Sequence, residues 1–510
     1  MSKFISRNLV FIRSAVFCIL LSSQMMSASA TVVLPALLSD NMVLQQNVPV
    51  HIWGTASAGE KIVVSILGQT KQTITDQRGK WQLWLDPLSS RAAVKMVVSG
   101  TNSITINNIL LGEVWFASGQ SNMEWDVSQS ANSEVEIANA NYPDIRIFEA
   151  EKSISDTLRS EIRGKWVVCT PETIRKITAA GYFFSRGIHK HLKVPVGLIE
   201  ASWGATRCEA WTPAEMLKSD PRLEYWERKW EGQVKGFAKV KEDYERKLES
   251  WAKEVKEAEA ANTPPPAKPA EPQLLNKTKP SSIYNAVVAP ISNYTIRGVI
   301  WYQGENNAYK SEAFAYRYLF PAMIQGWRNA WKQSDFPFIF AQLSTLNKHD
   351  YWPVLRESQT ETLKLSNTGM AVTYDIGDST DAHYKNKQEV GRRLELVARN
   401  LVYGENIESS GPLLRQITLE GSAIRVWFKH GKGLKASDGT VLTGFEIAGE
   451  DGHLYPARAV AEGETVLLSH PKVLNPVIAR YAFKDAVVAN LINSSGLPAV
   501  PFRTDIKNGL

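Results

Sequence analysis

One stretch constrains the fold more than any other, the segment from residue 111 to residue 125. Residues 114–117 form a short apolar run that suits a buried strand at the centre of a parallel sheet. Ser118 and Gly119 then break this run with small residues that permit a tight turn. Ser121 is therefore predicted just beyond the carboxyl end of a strand, where open α/β sheets bind their ligands.

Ser121 has two interpretations on spacing alone. If a helix begins at Asn122, the Ser121 amide points out of a helix N-terminus that carries partial positive charge. A serine in that position can supply both a nucleophile and the first hydrogen-bond donor for an oxyanion. The alternative is an ordinary serine that caps the helix. The other motifs of the chain decide between the two.

Residues 119–123, Gly-Gln-Ser-Asn-Met, resemble the first block of the SGNH hydrolases, and the longer stretch resembles the sialate O-acetylesterase branch of that superfamily. Three later motifs resemble further blocks in the expected order: residues 202–206, 303–307 and 376–387. The resemblance implies an α/β fold with a flavodoxin-like parallel sheet and helices on both faces. It also implies a serine esterase, most specifically one that removes O-acetyl groups from sialic acid or related sugars.

The resemblance gives each matching residue a role. Ser121 is the nucleophile and His383 the general base, while the Ser121 amide, the Gly204 amide and the Asn306 side chain form the oxyanion hole. The wider family often has Asp where this chain has Asn307, a departure of minor consequence for the chemistry. No metal and no cofactor are expected.

The histidine assignment also has support from the residues themselves. Residues 376–387 place two carboxylates and a histidine beyond a predicted core strand, which is the combination that general-base chemistry requires. Of the eight histidines, six lie in the predicted β regions or at a helix end. His349 is the one competitor of His383.

The acid that orients His383 is open. Asp381 is the first candidate, because a strand-like Asp381-Ala382-His383 would put both side chains on one face. The branch that the chain resembles often shows this spacing, although the general superfamily has Asp three residues before His. The other interpretation of Asp381 is a loop-capping carboxylate, and the alternatives for the acid are Asp378, Glu305 or a backbone carbonyl.

The 510-residue chain is too long for one hydrophobic core. Short alternating strands separated by turn signals predict a β-sandwich-like domain at the N-terminal end, and strands alternating with helices predict the catalytic domain that follows. The predicted divisions are a signal peptide (1–30), an N-terminal β domain (31–107), the catalytic domain (108–407) and a C-terminal β-rich region (408–510). An amphipathic helix and a Pro-rich segment form an insertion at 222–280, whose apolar stripe is typical of packing and which is placed to cover the site or mediate contacts.

The first 30 residues carry three basic side chains, a short apolar run and a small-residue cleavage motif at residues 28–30. These are the features of a secretory signal peptide, so a secreted or periplasmic protein with no membrane span after cleavage is expected. Cleavage lowers the formal charge from +6 to +3, which argues against a nucleic-acid partner. Cys169 and Cys208 remain, with pairing undetermined, and no Cys/His cluster has the spacing of a zinc site.

The partner expected from the resemblance is an acetylated sugar or glycan, and the sequence carries no signal for an oligomeric state. Two alternatives stay open. The same machinery serves an acetyl esterase acting on another polysaccharide such as xylan. A non-catalytic carbohydrate-binding protein is the alternative from another class, and the intact set of Ser121, Gly204, Asn306 and His383 argues against it.

Overall fold

The structure is a computed structural model that describes residues 31–347 and 351–505. The predicted signal peptide and His349 lie outside these residues, so both stay predictions.

The N-terminal β region leads directly into the central sheet through one long strand. Its strands are β1 (Val43–Gln45), β2 (Val50–Thr55), β3 (Lys61–Ile66), β4 (Gln69–Ile74), β5 (Lys80–Leu85), β6 (Val94–Ser99) and β7 (Ser103–Gly119). The first part of β7 pairs with β1 and β6, and its second part lies in the central sheet. The predicted boundary between residues 107 and 108 therefore falls inside a strand that both regions share.

The central sheet is built around apolar, largely buried strands. After β7 its strands are β8 (Tyr142–Ala150), β9 (Gly164–Cys169), β10 (Val196–Ser202), β11 (Gly298–Tyr302), β12 (Phe338–Ala341) and β13 (Thr368–Ala371). The strand order is β13-β12-β11-β7-β10-β8-β9, and every neighbouring pair is parallel except β8 with β9. All residues of β11 and β12 are buried, as expected for strands covered on both faces. The predicted α/β class with β-rich regions at both ends is confirmed.

Helices occupy the connections between these strands. They are α1 (Ser121–Glu124), α2 (Ser133–Ala138), α3 (Ala179–Leu192), α4 (Ala214–Lys218), α5 (Glu224–Ala260), α6 (Ala289–Ile291), α7 (Lys310–Trp331), α8 (Trp352–Glu361) and α9 (Lys387–Leu401). A π-helical turn, Tyr284–Val288, runs into α6. Helix α3 packs against α9, and α7 packs against α8. None of the helices in the described part of the chain combines the length and apolar composition that crossing a bilayer requires.

The insertion differs from its predicted packing. Helix α5 forms as expected, but Trp226 in its first turn is its one buried residue. Val234 and Val240, further along the apolar stripe, are 42% and 47% exposed. Near the end of the helix, the Trp251 indole donates a hydrogen bond to the Pro266 carbonyl at 2.8 Å. The stripe is thus only partly covered, because the Pro-rich segment meets the helix near its end while the core reaches only its start.

The C-terminal region is all β and contacts the catalytic domain through polar groups. Its strands are β14 (Leu413–Glu420), β15 (Ala423–Lys429), β16 (Lys435–Ala436), β17 (Phe445–Ala448), β18 (Tyr455–Pro456), β19 (Arg458–Glu462), β20 (Thr465–Ser469), β21 (Ile478–Tyr481), β22 (Leu491–Ile492) and β23 (Phe502–Arg503). The hydroxyls of Tyr374 and Tyr481 lie 3.1 Å apart, and Arg503 pairs with the buried Glu357 on α8. These contacts fix the region against the side of the sheet that carries β12 and β13.

Candidate active site

The site lies at the carboxyl edge of the central sheet, where three adjacent strands end at the same level. Gly119 at the end of β7 is in register with Ser202 of β10 on one side and with Tyr302 of β11 on the other. The loops that follow these strands are the first three predicted blocks. Their proximity follows from the strand order, because parallel strands deliver their following loops to one edge.

The turn after β7 requires glycine at its first position. Gly119 has a φ of +143°, and a Cβ there would lie 2.1 Å from the Tyr302 carbonyl oxygen. Gly304, in the loop after β11, has a φ of +156°, and a Cβ there would lie 2.6 Å from Leu355. Both positions need a residue without a side chain, so the backbone can turn sharply next to the serine.

Ser121 opens helix α1, which is a single turn, and its hydroxyl faces the predicted base. His383 Nε2 lies 2.8 Å from Ser121 Oγ, a distance that suits transfer of the hydroxyl proton to the imidazole. The Ser121 backbone amide donates to no group in the described part of the chain. It is thus open to an incoming acceptor.

An aromatic side chain fixes the plane of the imidazole. The Trp125 ring stacks on His383 with the ring centroids 4.7 Å apart and an angle of 8° between the planes. The Trp125 indole nitrogen donates to the Gln129 carbonyl at 3.1 Å, which anchors the ring. Trp125 is the last residue of the segment 111–125, and no role for it was predicted, because nothing in spacing alone places it beside a residue 258 positions later.

Asp381 does not contact the imidazole. Its Oδ1 accepts a hydrogen bond from the backbone amide of His383 at 2.8 Å, which is the loop-capping alternative. Asp378 likewise caps its own loop, accepting from the Thr380 amide at 2.8 Å. Among the described residues, neither carboxylate forms a hydrogen bond or an ion pair with the His383 ring. The expected one-face geometry fails because the segment is a loop with a turn, which directs the carboxylate to the backbone.

The three predicted oxyanion donors differ in whether they already have a hydrogen-bond partner. A Cβ at Gly204 would lie 3.3 Å from the Ser121 Cβ, so the two loops are in contact. The Gly204 amide donates to the Glu124 carboxylate, which also pairs with Lys152. The Asn306 side chain makes no hydrogen bond to a described residue, and its backbone amide contacts Gln120 Oε1 at 3.4 Å. The Ser121 amide and the Asn306 side chain are thus without a hydrogen-bond partner among the described residues, whereas the Gly204 amide is engaged by Glu124.

Comparison with known proteins gives the family. The family model described as carbohydrate esterase, sialic acid-specific acetylesterase, matches residues 273–398. The chain is 31% identical to the sialate O-acetylesterase of Rattus norvegicus over 430 residues, which are 74% of this chain and 76% of that protein. The chain belongs to the sialate O-acetylesterase family. It is therefore a carboxylic ester hydrolase, as the motifs predict.

Two further proteins extend the comparison. The sialate O-acetylesterase of Homo sapiens is 29% identical over 429 residues, covering 75% of this chain and 73% of that protein. The crystal structure of a carbohydrate acetylesterase from Xanthomonas citri matches with a TM-score of 0.79 and 32% identity, covering 93% of this chain and all of that one. A match over 93% of this chain extends into both β-rich regions.

Asn307, the position where the wider family often has Asp, joins two of the catalytic loops. Its side-chain oxygen accepts from the Cys208 amide at 2.9 Å and from Gln303 at 2.8 Å, and its amide nitrogen donates to Glu209 at 2.9 Å. Burial raises the pKa of Glu209 to about 7, partly offset by the Asn307 hydrogen bond and by the charge of Arg207. An amide fits here because an aspartate would face another carboxylate.

The insertion contributes one side chain to the edge of the site. Lys277 donates from Nζ to the Gly204 carbonyl at 2.7 Å, and its ammonium lies 5.7 Å from the centre of the Trp203 ring. This contact comes from the C-terminal end of the insertion, and the long helix α5 takes no part in it.

Several site residues carried no signal in the sequence. Glu124, which engages the Gly204 amide, and Lys387, which is buried behind Ser121, are of types that usually lie on the surface.

Cys169 and Cys208 are both buried and unpaired. Within the described residues, no group of three or more His, Cys, Asp or Glu side chains is arranged to hold a metal ion.

Proposed function

We propose that this protein is a serine esterase that removes O-acetyl groups from sialic acid or a related sugar through an acetyl-enzyme on Ser121. The observation that carries the proposal is the 2.8 Å contact between Ser121 Oγ and His383 Nε2 at the carboxyl edge of the sheet. A hydroxyl becomes a competent nucleophile when a base in hydrogen-bond reach accepts its proton.

The first half-reaction transfers the acetyl group to the enzyme. His383 takes the Ser121 proton as Oγ attacks the acetyl carbonyl carbon, and the carbonyl oxygen becomes an oxyanion. When the tetrahedral intermediate collapses, the bond to the sugar oxygen breaks and the protonated His383 gives its proton to that oxygen. In the second half, a water molecule activated by His383 attacks the acetyl-enzyme and releases acetate, restoring Ser121.

The oxyanion is stabilised by donors from three loops. The Ser121 amide and the Asn306 side chain are open to it, and the Gly204 amide joins them once the Glu124 carboxylate moves away. Each such donor is worth roughly 3 kcal/mol of barrier in comparable sites. Apart from that movement of Glu124, the attachment of the three loops to adjacent strands keeps the donors in place.

The substrate assignment rests on the relatives, which carry the name sialate O-acetylesterase. The test is a panel of acetylated sugars that includes O-acetylated sialic acids, acetylated xylan fragments and acetylated aryl esters, with acetate release measured for each. The proposal expects the highest kcat/KM on O-acetylated sialic acid. Binding of these sugars without acetate release would instead indicate a carbohydrate-binding protein.

A second candidate is an acetyl esterase for another glycan, such as xylan. It is favoured by the Xanthomonas citri structure, which is that of a carbohydrate acetylesterase, a broader substrate class than sialic acid, and which matches 93% of this chain at 32% identity. The two candidates share the chemistry at Ser121, so the same panel separates them. A preference for acetylated xylan fragments over sialic acids would select the second.

The proposal includes export. The basic residues, apolar run and small-residue motif of residues 1–30 support cleavage before Thr31 and a secreted or periplasmic protein. N-terminal sequencing of material produced with its own first 30 residues tests this. A mature chain that begins near Thr31 supports export, and one that still begins at Met1 contradicts cleavage.

A further inference from the structure

A buried lysine lies behind the nucleophile at the start of helix α9. Lys387 is 0% exposed, and it is the first residue of its helix, where the partial positive charge of the helix disfavours a cation. Burial lowers its pKa to about 7, against the opposing effect of the Glu305 and Asp381 charges. A buried ammonium at such a position is costly unless its donors are satisfied.

Lys387 donates hydrogen bonds to two segments of the site. Its Nζ donates to Asn122 Oδ1 at 2.8 Å and to the Tyr384 carbonyl at 2.6 Å, and it lies 3.9 Å from the centre of the Tyr384 ring. Asn122 directly follows Ser121, and Tyr384 directly follows His383. One side chain therefore connects the neighbours of both reacting residues.

Asn122 completes the connection. Its amide nitrogen donates to the Ala382 carbonyl at 2.9 Å and to Glu305 Oε1 at 2.6 Å. The two residues that flank His383 are thus both held, Ala382 by Asn122 and Tyr384 by Lys387. Glu305 belongs to the loop that carries Asn306, so the same network reaches the predicted oxyanion donor.

The lysine also determines which way the Asn122 amide faces. An ammonium group has only donors, so Asn122 must present its oxygen to Lys387 and its nitrogen to Glu305 and Ala382. Burial raises the pKa of Glu305, while the Asn122 hydrogen bond and the charges of His383 and Lys387 lower it. Its Oε2 is buried without a hydrogen-bond partner among the described residues, and the charges of His383 and Lys387 offset part of that cost.

We propose that Lys387 is a positioning residue for the esterase reaction, which acts through Asn122 to hold the Ser121 turn and the His383 loop at their working separation. It touches neither Ser121 nor His383 in the described contacts. The inference rests on the proposed function, since it assigns Lys387 a role in the reaction of that site.

The test compares Lys387→Met with Asn122→Ala and with a matched control. Met keeps an unbranched chain without the ammonium, and Asn122→Ala removes the link while leaving the lysine. Arg328→Met is the control, because Arg328 is another buried cation that donates to backbone carbonyls, those of Phe336, Ser366 and Asn367. Those carbonyls lie at the amino ends of β12 and β13, on the edge opposite the site.

The readouts are kcat and KM for acetate release, the rate of covalent inactivation by an aryl phosphonate, and the melting temperature. We expect Lys387→Met and Asn122→Ala to lower kcat by about ten- to a hundredfold, as a displacement near 1 Å does, with KM changed by less than about threefold. Inactivation by the phosphonate should slow in parallel. The double variant should be no slower than the slower single variant, because the two residues act as one unit.

Arg328→Met should lower the melting temperature and leave kcat unchanged. If Lys387→Met behaves like Arg328→Met, or if the effects of Lys387→Met and Asn122→Ala simply multiply, the positioning role is overturned. If Lys387→Met does not fold, Asn122→Ala still decides, since wild-type kcat in that variant overturns the proposal. Failure of the proposed function can be distinguished from failure of this inference, because the wild-type protein would then release no acetate in the same assay.

Discussion

The indole of Trp125 lies flat on the imidazole of His383, with 4.7 Å between the ring centroids and 8° between their planes. Trp125 comes from the turn that carries Ser121, so the nucleophile segment itself orients the base. Neither Asp381 nor Asp378 forms a hydrogen bond with the ring, so this stack and the contact with Ser121 Oγ are interactions that orient the imidazole.

Replacing Trp125 with alanine should lower kcat by about two- to tenfold, the equivalent of an aromatic pair worth about 0.5–1.5 kcal/mol. Trp125→Phe keeps a ring against the imidazole and should retain most of the activity. Steady-state kinetics on an acetylated aryl ester measures both variants, and melting curves verify that each is folded. Equal losses in the two variants would show that stacking is not what the tryptophan contributes.

The Asp381→Asn substitution distinguishes a triad acid from a loop-capping carboxylate. As the cap seen in the structure, Asp381→Asn should change kcat by less than about threefold, because the amide oxygen can accept the same backbone N–H. A triad acid replaced by its amide costs about ten-thousandfold, since the wrong imidazole tautomer is favoured. A loss of a hundredfold or more in kcat with an unchanged melting temperature would restore Asp381 as the acid.

Glu209 should make stability depend on pH. Its pKa is about 7 in the folded protein and near 4.5 when unfolded, so the folded state holds an extra proton between these values. Stability should therefore fall as the pH rises through that window, by at most about 1.4 kcal/mol per pH unit. Glu209→Gln keeps an acceptor for Asn307 and abolishes this titration.

Urea unfolding of wild type and Glu209→Gln at pH 5 and pH 8 measures the effect. The variant should gain stability relative to wild type on going from pH 5 to pH 8. If the difference in the free energy of unfolding between the two proteins is the same at pH 5 and at pH 8, Glu209 does not titrate in this range.

Cys169 and Cys208 should be inert in the native protein. Both are buried and unpaired, and burial raises the pKa of Cys169 to about 12 and that of Cys208 well above its usual value. Thiolate is the reactive form, so an alkylating reagent at pH 8 should modify both only after unfolding. Peptide mapping by mass spectrometry provides the measurement, and a Cys169–Cys208 disulfide in the native protein would contradict the expectation.

The sequence predicted those parts of the fold and site that depend on local pattern. Apolar runs located the central strands, and small residues after them located the loops that carry Ser121 and Gly204. The roles of Gly204 and Asn306 and the pairing of Ser121 with His383 followed from the resemblance of the four blocks to the family. The continuity of β7 through the predicted domain boundary could not be predicted, because a strand that leaves one sheet and enters another keeps the same alternation and composition throughout.

The misplaced and missed residues depend on contacts between distant segments. Asp381 was placed on the imidazole side by assuming an extended segment, whereas the loop turns its carboxylate to the backbone. Lys387 and Glu124 are of types that lie mostly on the surface, so only the folded structure reveals their partners. The exposure of the α5 stripe likewise depends on how far the helix runs beyond the groups that could cover it.

The most direct test of the account is acetate release by Ser121→Ala from an O-acetylated sugar, measured beside the wild-type protein at equal concentration. The account predicts an unchanged melting temperature and a turnover reduced by several orders of magnitude, since only binding and the oxyanion donors remain. A folded Ser121→Ala protein that keeps more than about a tenth of the wild-type rate would contradict it, because a true nucleophile cannot be removed at so small a cost.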